Sequence, residues 1–194
     1  MELIADKLFT GWKHITNLDC HYNGRIWVTW RPDYYQIVLK YKSAQLITCE
    51  VLNIPLQLSF EITFVYVLNT KEERRILWED LVIHSRTCRK PWLVLGDFNS
   101  ILSAEDRIGG NKVTWADVVD FNNCVMECDL LELPAQGNRY TWSDKHYKQR
   151  FFSKIDWIFI KEEWFHTLPD CAARFLPEEI NDHCPTKVFL TTEK

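Results

Sequence analysis

Apolar positions along this chain follow two rhythms, and the first is that of β-strands. Runs rich in Val, Ile, Leu, Phe, Trp and Tyr recur over 25–30, 36–41, 46–52, 61–68, 92–98, 139–143, 154–160 and 186–190. The second rhythm returns apolar residues every three or four positions, as one face of a helix requires. It predicts a helix over 71–85, where Thr70 and Glu73 make a capping box and Ile76, Leu77, Leu81 and Val82 form the apolar stripe. Another helix is expected over 115–128, capped by Thr114, with Val118, Phe121 and Val125 facing inward. A shorter pattern covers 162–167. Gly109-Gly110 and Gln136-Gly137-Asn138 read as turns, and no repeat or linker divides the chain. Many strands with a few amphipathic helices predict an α/β (α+β) fold, a two-sheet β-sandwich flanked by helices.

Composition narrows the class. At 194 residues, 14% of them aromatic and nine of them tryptophan, the chain suits one domain with a sizeable core. No apolar run approaches the roughly 20 residues of a membrane span, and no basic head with an apolar signal segment opens the sequence. The expectation is an intracellular protein with no membrane partner. Seven cysteines, an odd number without a Cys-x-x-Cys pair, read as reduced, packed thiols. Cys124 and Cys128 lie one helical turn apart, but no neighbouring His or Cys completes a zinc set with them.

A net charge of −4 does not suggest tight, nonspecific nucleic-acid binding. One segment runs against that total. Arg139, Lys145, Lys148, Arg150 and Lys154 stand against a single acid there, Asp144, and Tyr140, Trp142, Tyr147, Phe151 and Phe152 interleave with them. Basic groups neutralise phosphates, and exposed aromatics stack on bases or wedge between them. A solvated hairpin whose aromatics face the core would show the same pattern.

The most informative run is Pro91-Trp92-Leu93-Val94-Leu95-Gly96-Asp97-Phe98-Asn99-Ser100. Four consecutive apolar residues read as a strand buried on both faces, then glycine breaks the run. In an extended segment, positions two apart point the same way, so Asp97 and Asn99 reach into one cleft while Phe98 turns inward. A carboxylate and a carboxamide there suit a hard cation, or a phosphate and water held in line. An Asx turn that merely ends the strand is the alternative. Two further clusters follow. Asp156 opens a strand of large apolar residues and needs a partner, since burying a carboxylate alone is expensive. Asn181-Asp182-His183-Cys184-Pro185 supplies an imidazole, and an Asp–His pair keeps that ring protonated and oriented. A structural, hydrogen-bonded histidine would satisfy the same residues.

Gly96-Asp97-Phe98-Asn99, the Lys154-Ile155-Asp156 strand and the terminal Asp182-His183 pair, in that order, resemble the endonuclease/exonuclease/phosphatase superfamily. Its fold is the four-layer, deoxyribonuclease-I-like sandwich. The chain is also similar to the endonuclease domain of plant LINE-type (non-LTR) retrotransposons. That likeness lies in Tyr22-Asn23-Gly24-Arg25-Ile26-Trp27-Val28, Phe64-Val65-Tyr66, residues 74–78, Pro91-Trp92, Arg107-Ile108-Gly109-Gly110 and Tyr140-Thr141-Trp142. It runs from about Trp12 to Leu190. The resemblance implies that Asp97 orients or deprotonates the attacking water and that Asn99 holds the scissile phosphate. Asp156 would pair with His183, whose imidazole stabilises charge on a phosphate oxygen. Tyr66 would contact the phosphate, although a strand aromatic packed in the core fits it equally. Asp182 would help bind Mg or Mn, and Arg139, Trp142, Lys145, Lys148 and Arg150 would lie beside DNA. DNA is the implied partner, with a reverse transcriptase domain in the parent element and a nuclear location for a working enzyme.

The departures carry an expectation of their own. The family has an early asparagine strand, then a strand ending in a metal-binding glutamate, both before the helix that leads to a Gly-Trp-Lys segment. Here residues 1–9 look like that helix, and Glu2 does not match the glutamate. Asn181 replaces a small hydroxyl residue, and Cys184 replaces a serine. The chain therefore reads as a single, N-terminally incomplete domain over 1–194, missing its first strand and exposing an apolar edge. With the metal supplying several kcal/mol, Mg-dependent nicking is expected to be impaired by orders of magnitude. A non-catalytic remnant and a small-molecule phosphatase are the competing functions.

Overall fold

The computed structural model describes residues 9–21, 24–144, 150–179 and 181–190. β1 (Lys13–Thr16) and β2 (Trp27–Trp30) form an antiparallel ribbon. β3 (Tyr35–Lys42), β4 (Leu46–Asn53) and β5 (Leu58–Tyr66) make an antiparallel meander. Helix α1 (Lys71–Thr87) then crosses over to β6 (Trp92–Asp97), which runs parallel to β5. A 3-10 turn at Ala104–Asp106 leads to β7 (Arg107–Ile108), followed by α2 (Trp115–Glu127). The rest comprises β8 (Leu131–Glu132), β9 (Ala135–Gly137), β10 (Trp142–Ser143), β11 (Phe152–Ser153), β12 (Asp156–Ile160), α3 (Glu162–Thr167), β13 (Ala172–Phe175) and β14 (Thr186–Phe189).

The central sheet has six strands in the order β3-β4-β5-β6-β12-β8. One face is closed by α1 and α2. Leu77, Trp78 and Leu81 of α1 and Phe121 and Cys124 of α2 bury against Val94, Phe98, Trp157 and Phe159. Rings meet closely there, with Trp78 and Phe121 5.0 Å apart at their centroids. The other face packs under β1-β2 and the three-stranded sheet β14-β13-β9, through Ile47, Phe60, Leu93, Ile160, Trp164 and Phe175.

That second layer is open in the middle. Among the described residues β2 and β14 each pair on one side only, and both line a trough of about 370 Å³ with Ile62, Phe64, Leu93 and Leu95 beneath it.

The helices keep the expected starts, and the Thr70–Glu73 capping box forms. The buried stripe of α1 is turned by one position, because Trp78 fills the aromatic core while Ile76 is 59% exposed. In α2, Cys124 joins Phe121 in the core and Val125 packs at its margin. The strand expected over 139–143 shortens to Trp142–Ser143. Gln136-Gly137 is not a turn but part of β9, paired in parallel with β13. Gly137 permits this, since a Cβ there would sit 1.9 Å from the Phe175 carbonyl oxygen.

A candidate active site at the carboxyl ends of two strands

The parallel register of β5 and β6 sets Tyr66 beside Asp97, and the antiparallel register of β12 sets Asp156 on the other side of Asp97. Three separated positions thus share one end of the sheet. Gly96 makes that end possible: at φ +140 it lies against β5, where a Cβ would meet the Val65 carbonyl oxygen at 2.0 Å. Phe98 turns inward and is fully buried, as its position predicts.

Asp97 and Asn99 do share a cleft, though not by strand alternation. β6 ends at Asp97, and Asn99 sits at φ +44, a region asparagine tolerates better than most residues. Its backbone N–H donates to Asp97 Oδ1 at 2.8 Å, so the Asx turn and the cleft are one structure. Asn99 Nδ2 donates to Asn69 Oδ1 at 2.8 Å. Arg74 of α1 ties this loop down, donating to the carbonyls of Asn99 and Asn69 and to Ser100 Oγ.

His183 reaches the site from the far end of the sequence. Its loop docks on the segment before and within β10, through Ser143 N–H to the Asp182 carbonyl and Cys184 N–H to the Thr141 carbonyl. The buried Thr141 hydroxyl also accepts from the backbone N–H groups of Ile155 and Asp156, which fixes the start of β12. The outcome is an imidazole set between two acids. His183 Nδ1 lies 2.9 Å from Asp156 Oδ2, and Nε2 lies 3.9 Å from Asp97 Oδ2. Burial works against a charged ring, but Asp156, Asp97 and Asp182 outweigh it and hold the His183 pKa above its ordinary value. Asp97 is pushed up to about 6, by burial first and then by the negative charge of Asp156.

Tyr66 is half-buried and packs against the core, as a strand aromatic would, with its hydroxyl turned to Arg25. Arg25 Nη1 donates to its hydroxyl at 2.5 Å, and the guanidinium lies 5.0 Å from the ring centroid. Asp182 Oδ2 accepts from Trp142 Nε1 at 2.9 Å. Asp97, Asn99, Asp156, Asp182, His183 and Tyr66 thus stand at one end of the central sheet.

The basic segment is less positive in space than in sequence. Arg139 pairs with Glu105 at 3.4 Å, and Lys154 turns to Glu132 and the face of Trp157. Arg150 remains exposed beside the Phe152 ring. Lys145 and Lys148 lie outside the described residues. Acids distant along the chain were not visible to a local count of charges. Arg25, Asn69, Arg74 and Thr141 also escaped sequence reading as site residues. Arg25, Arg74 and Thr141 lie inside motifs quoted for the resemblance, and Asn69 had no signal.

Asp97 and Asp182 bring carboxylate oxygens close to one another and to His183, and such oxygens suit a hard cation such as Mg or Mn. Asp97 is raised by burial first and by the negative charge of Asp156 second, and a bound cation would offset both. Among the described residues, no three acidic or imidazole ligand atoms at this site converge as in a preformed metal centre.

Residues 8–174 match the model of the Endonuclease/Exonuclease/phosphatase family, and the chain belongs to it. The match ends before the Asp182-His183 pair, whose place rests on the geometry above. Among solved structures, the chain is similar to the endonuclease domain of TRAS1, a telomere-specific non-LTR retrotransposon. The TM-score is 0.74 at 12% identity, covering 96% of this chain and 83% of that one. It is also similar to D. rerio TDP2 complexed with single-strand DNA product, with a TM-score of 0.62, 12% identity, and 94% and 78% coverage. A mannosyl-6-phosphatase of Bacteroides thetaiotaomicron gives 0.58, 14% identity, and 96% and 79% coverage. At these identities the likeness shows the fold. No curated protein matches the chain.

Proposed function

We propose that this chain is a retrotransposon-derived endonuclease-like domain whose site hydrolyses a DNA phosphodiester with the help of Mg or Mn. The observation that carries this reading is the His183 ring held between Asp156 at 2.9 Å and Asp97 at 3.9 Å. Asp97 accepts a proton from the attacking water, whose oxygen bonds to phosphorus as the bond to the leaving alkoxide breaks. Protonated His183 faces a phosphate oxygen and stabilises the charge that grows on it, while Asp156 keeps the ring oriented. Asn99 and the Arg25–Tyr66 pair position the phosphate. Asp182 and Asp97 would hold the cation, which supplies charge neutralisation at the phosphate.

DNA is favoured over a small phosphate ester by Trp142 and Arg150 beside the site, and by the likeness to the TRAS1 endonuclease domain and to TDP2 complexed with single-strand DNA. The thin ligand set points to a slow enzyme. A remnant without turnover is the second reading, favoured by that lack of converging ligands and by the open apolar trough. Supercoiled plasmid with magnesium separates them. Nicking by the parent but by neither Asp97→Ala nor His183→Ala supports the nuclease; no nicking by any of the three supports the remnant; nicking by all three reveals a contaminant.

A further inference from the structure

The end of β5 and β6 opposite the acids holds a second group of ligand-type side chains. Glu61 of β5, His84 in the last turn of α1 and Cys88 just beyond it each bring one ligand atom within 4.8 Å of the others. His84 and Cys88 are four positions apart on one side of a helix end, and Glu61 lies across from Trp92 in the register of β5 with β6. Five strand residues separate Glu61 from Tyr66, which puts this group roughly 16 Å from the acid end.

Two of the three side chains are poorly satisfied as they stand. Glu61 is 8% and His84 17% exposed at the side chain, and Oε2 lies 2.9 Å from Nε2. That contact lacks hydrogen-bond geometry, and neither atom has another hydrogen-bond partner. Buried polar atoms in this condition are costly and uncommon. The Cys88 thiol is weakly held, beside Glu61 and donating to the Lys90 carbonyl at 3.4 Å, which leaves sulfur lone pairs for a metal. The edge of Trp92 restrains the His84 ring, with centroids 4.9 Å apart. The carboxyl end of α1 favours positive charge at this spot. The two nearby cations are engaged elsewhere, Lys161 with the Ser85 carbonyl and Lys40 with Glu50.

We propose that Glu61, His84 and Cys88 form a zinc site that ties the start of β5 to the end of α1. One imidazole nitrogen, one thiolate and one carboxylate oxygen are a zinc donor set rather than a magnesium one. Three protein ligands leave the fourth tetrahedral position to water. On binding, bonds form from zinc to nitrogen, sulfur and oxygen, and the thiol proton of Cys88 passes to solvent. Nothing is oxidised or reduced.

The test uses the full chain, stripped of metal and titrated with cobalt(II) as a probe. One equivalent should give the near-ultraviolet charge-transfer band of a cobalt–thiolate bond, and zinc should bleach it. Cys88→Ser should abolish the band and weaken zinc binding by more than about 100-fold, beyond the usual loss from an outer-shell change. Cys124→Ser should keep it. X-ray absorption of the zinc-loaded parent, which needs no variant to fold, should show one sulfur among nitrogen and oxygen scatterers. No band at stoichiometric cobalt, a band that survives Cys88→Ser, or a zinc shell without sulfur would each overturn the site.

Discussion

The two ends of the β5–β6 pair each set an imidazole against an acid at the same distance, with opposite electrostatics. At one end His183 meets Asp156 at 2.9 Å, and at the other His84 meets Glu61 at 2.9 Å. The pKa of His183 is raised, whereas that of His84 is lowered. Burial opposes a charged ring at both ends. Around His183, three acids outweigh it, and the ring is a third exposed. Around His84, burial dominates over one acid, and Lys161 and Lys40 add to it. An acid–imidazole pair is therefore not a function in itself. Its surroundings decide whether it holds a proton for chemistry or presents a neutral ligand.

The largest effect expected from breaking the contrast is catalytic. His183→Ala should slow plasmid nicking by about 10²–10⁴-fold, the range for a positioned proton-transfer or charge-stabilising group. Loss of less than tenfold would remove His183 from the chemistry. Next, the two acids should answer truncation with opposite signs in denaturant unfolding. Asp97→Asn should stabilise the metal-free fold at pH 7 by about 3 kcal/mol while abolishing nicking, because ionising this carboxyl opposes folding. Glu61→Ala should cost about 2 kcal/mol, since it removes a buried side chain packed beside His84 and leaves a cavity.

The pH dependence follows from the same groups. Asp97 is raised in the folded state to about 6, so the fold binds its proton more tightly than the unfolded chain does. Metal-free stability should therefore be greatest below about pH 4 and decline up to about pH 6 on account of this group. His183 is also raised, so its contribution is complete below about pH 6.5 and disappears as pH climbs through its folded value. Magnesium should flatten the Asp97 decline, and thermal melts with and without it are the measurement. The smallest effect belongs to the rim. Arg139→Ala should weaken DNA binding only a few-fold and lower the salt slope by well under about one, because Glu105 already holds that guanidinium.

Much of this was legible beforehand where the signal is local. Solid apolar runs located β4, β5, β6 and β12, and the Thr70–Glu73 spacing located the start of α1. β9 and β13 were missed because their pairing depends on Gly137 admitting the Phe175 carbonyl, a contact between distant segments. The two explanations offered for Asp97-Phe98-Asn99 proved to be one, since the turn that ends the strand also builds the cleft. Arg139 and Lys154 were overrated as phosphate ligands because Glu105 and Glu132, the acids that hold them, come from elsewhere in the chain.

The order of residues along the chain determined which side chains exist for chemistry and which strands and helices would form, because periodicity and capping act over a few positions. Only the tertiary structure decided which acid stands beside which histidine, and which of those histidines holds its proton more tightly. Proton affinity is set by burial and by charges within a few ångströms, and those neighbours were brought together by strand register and loop docking, not by adjacency in sequence.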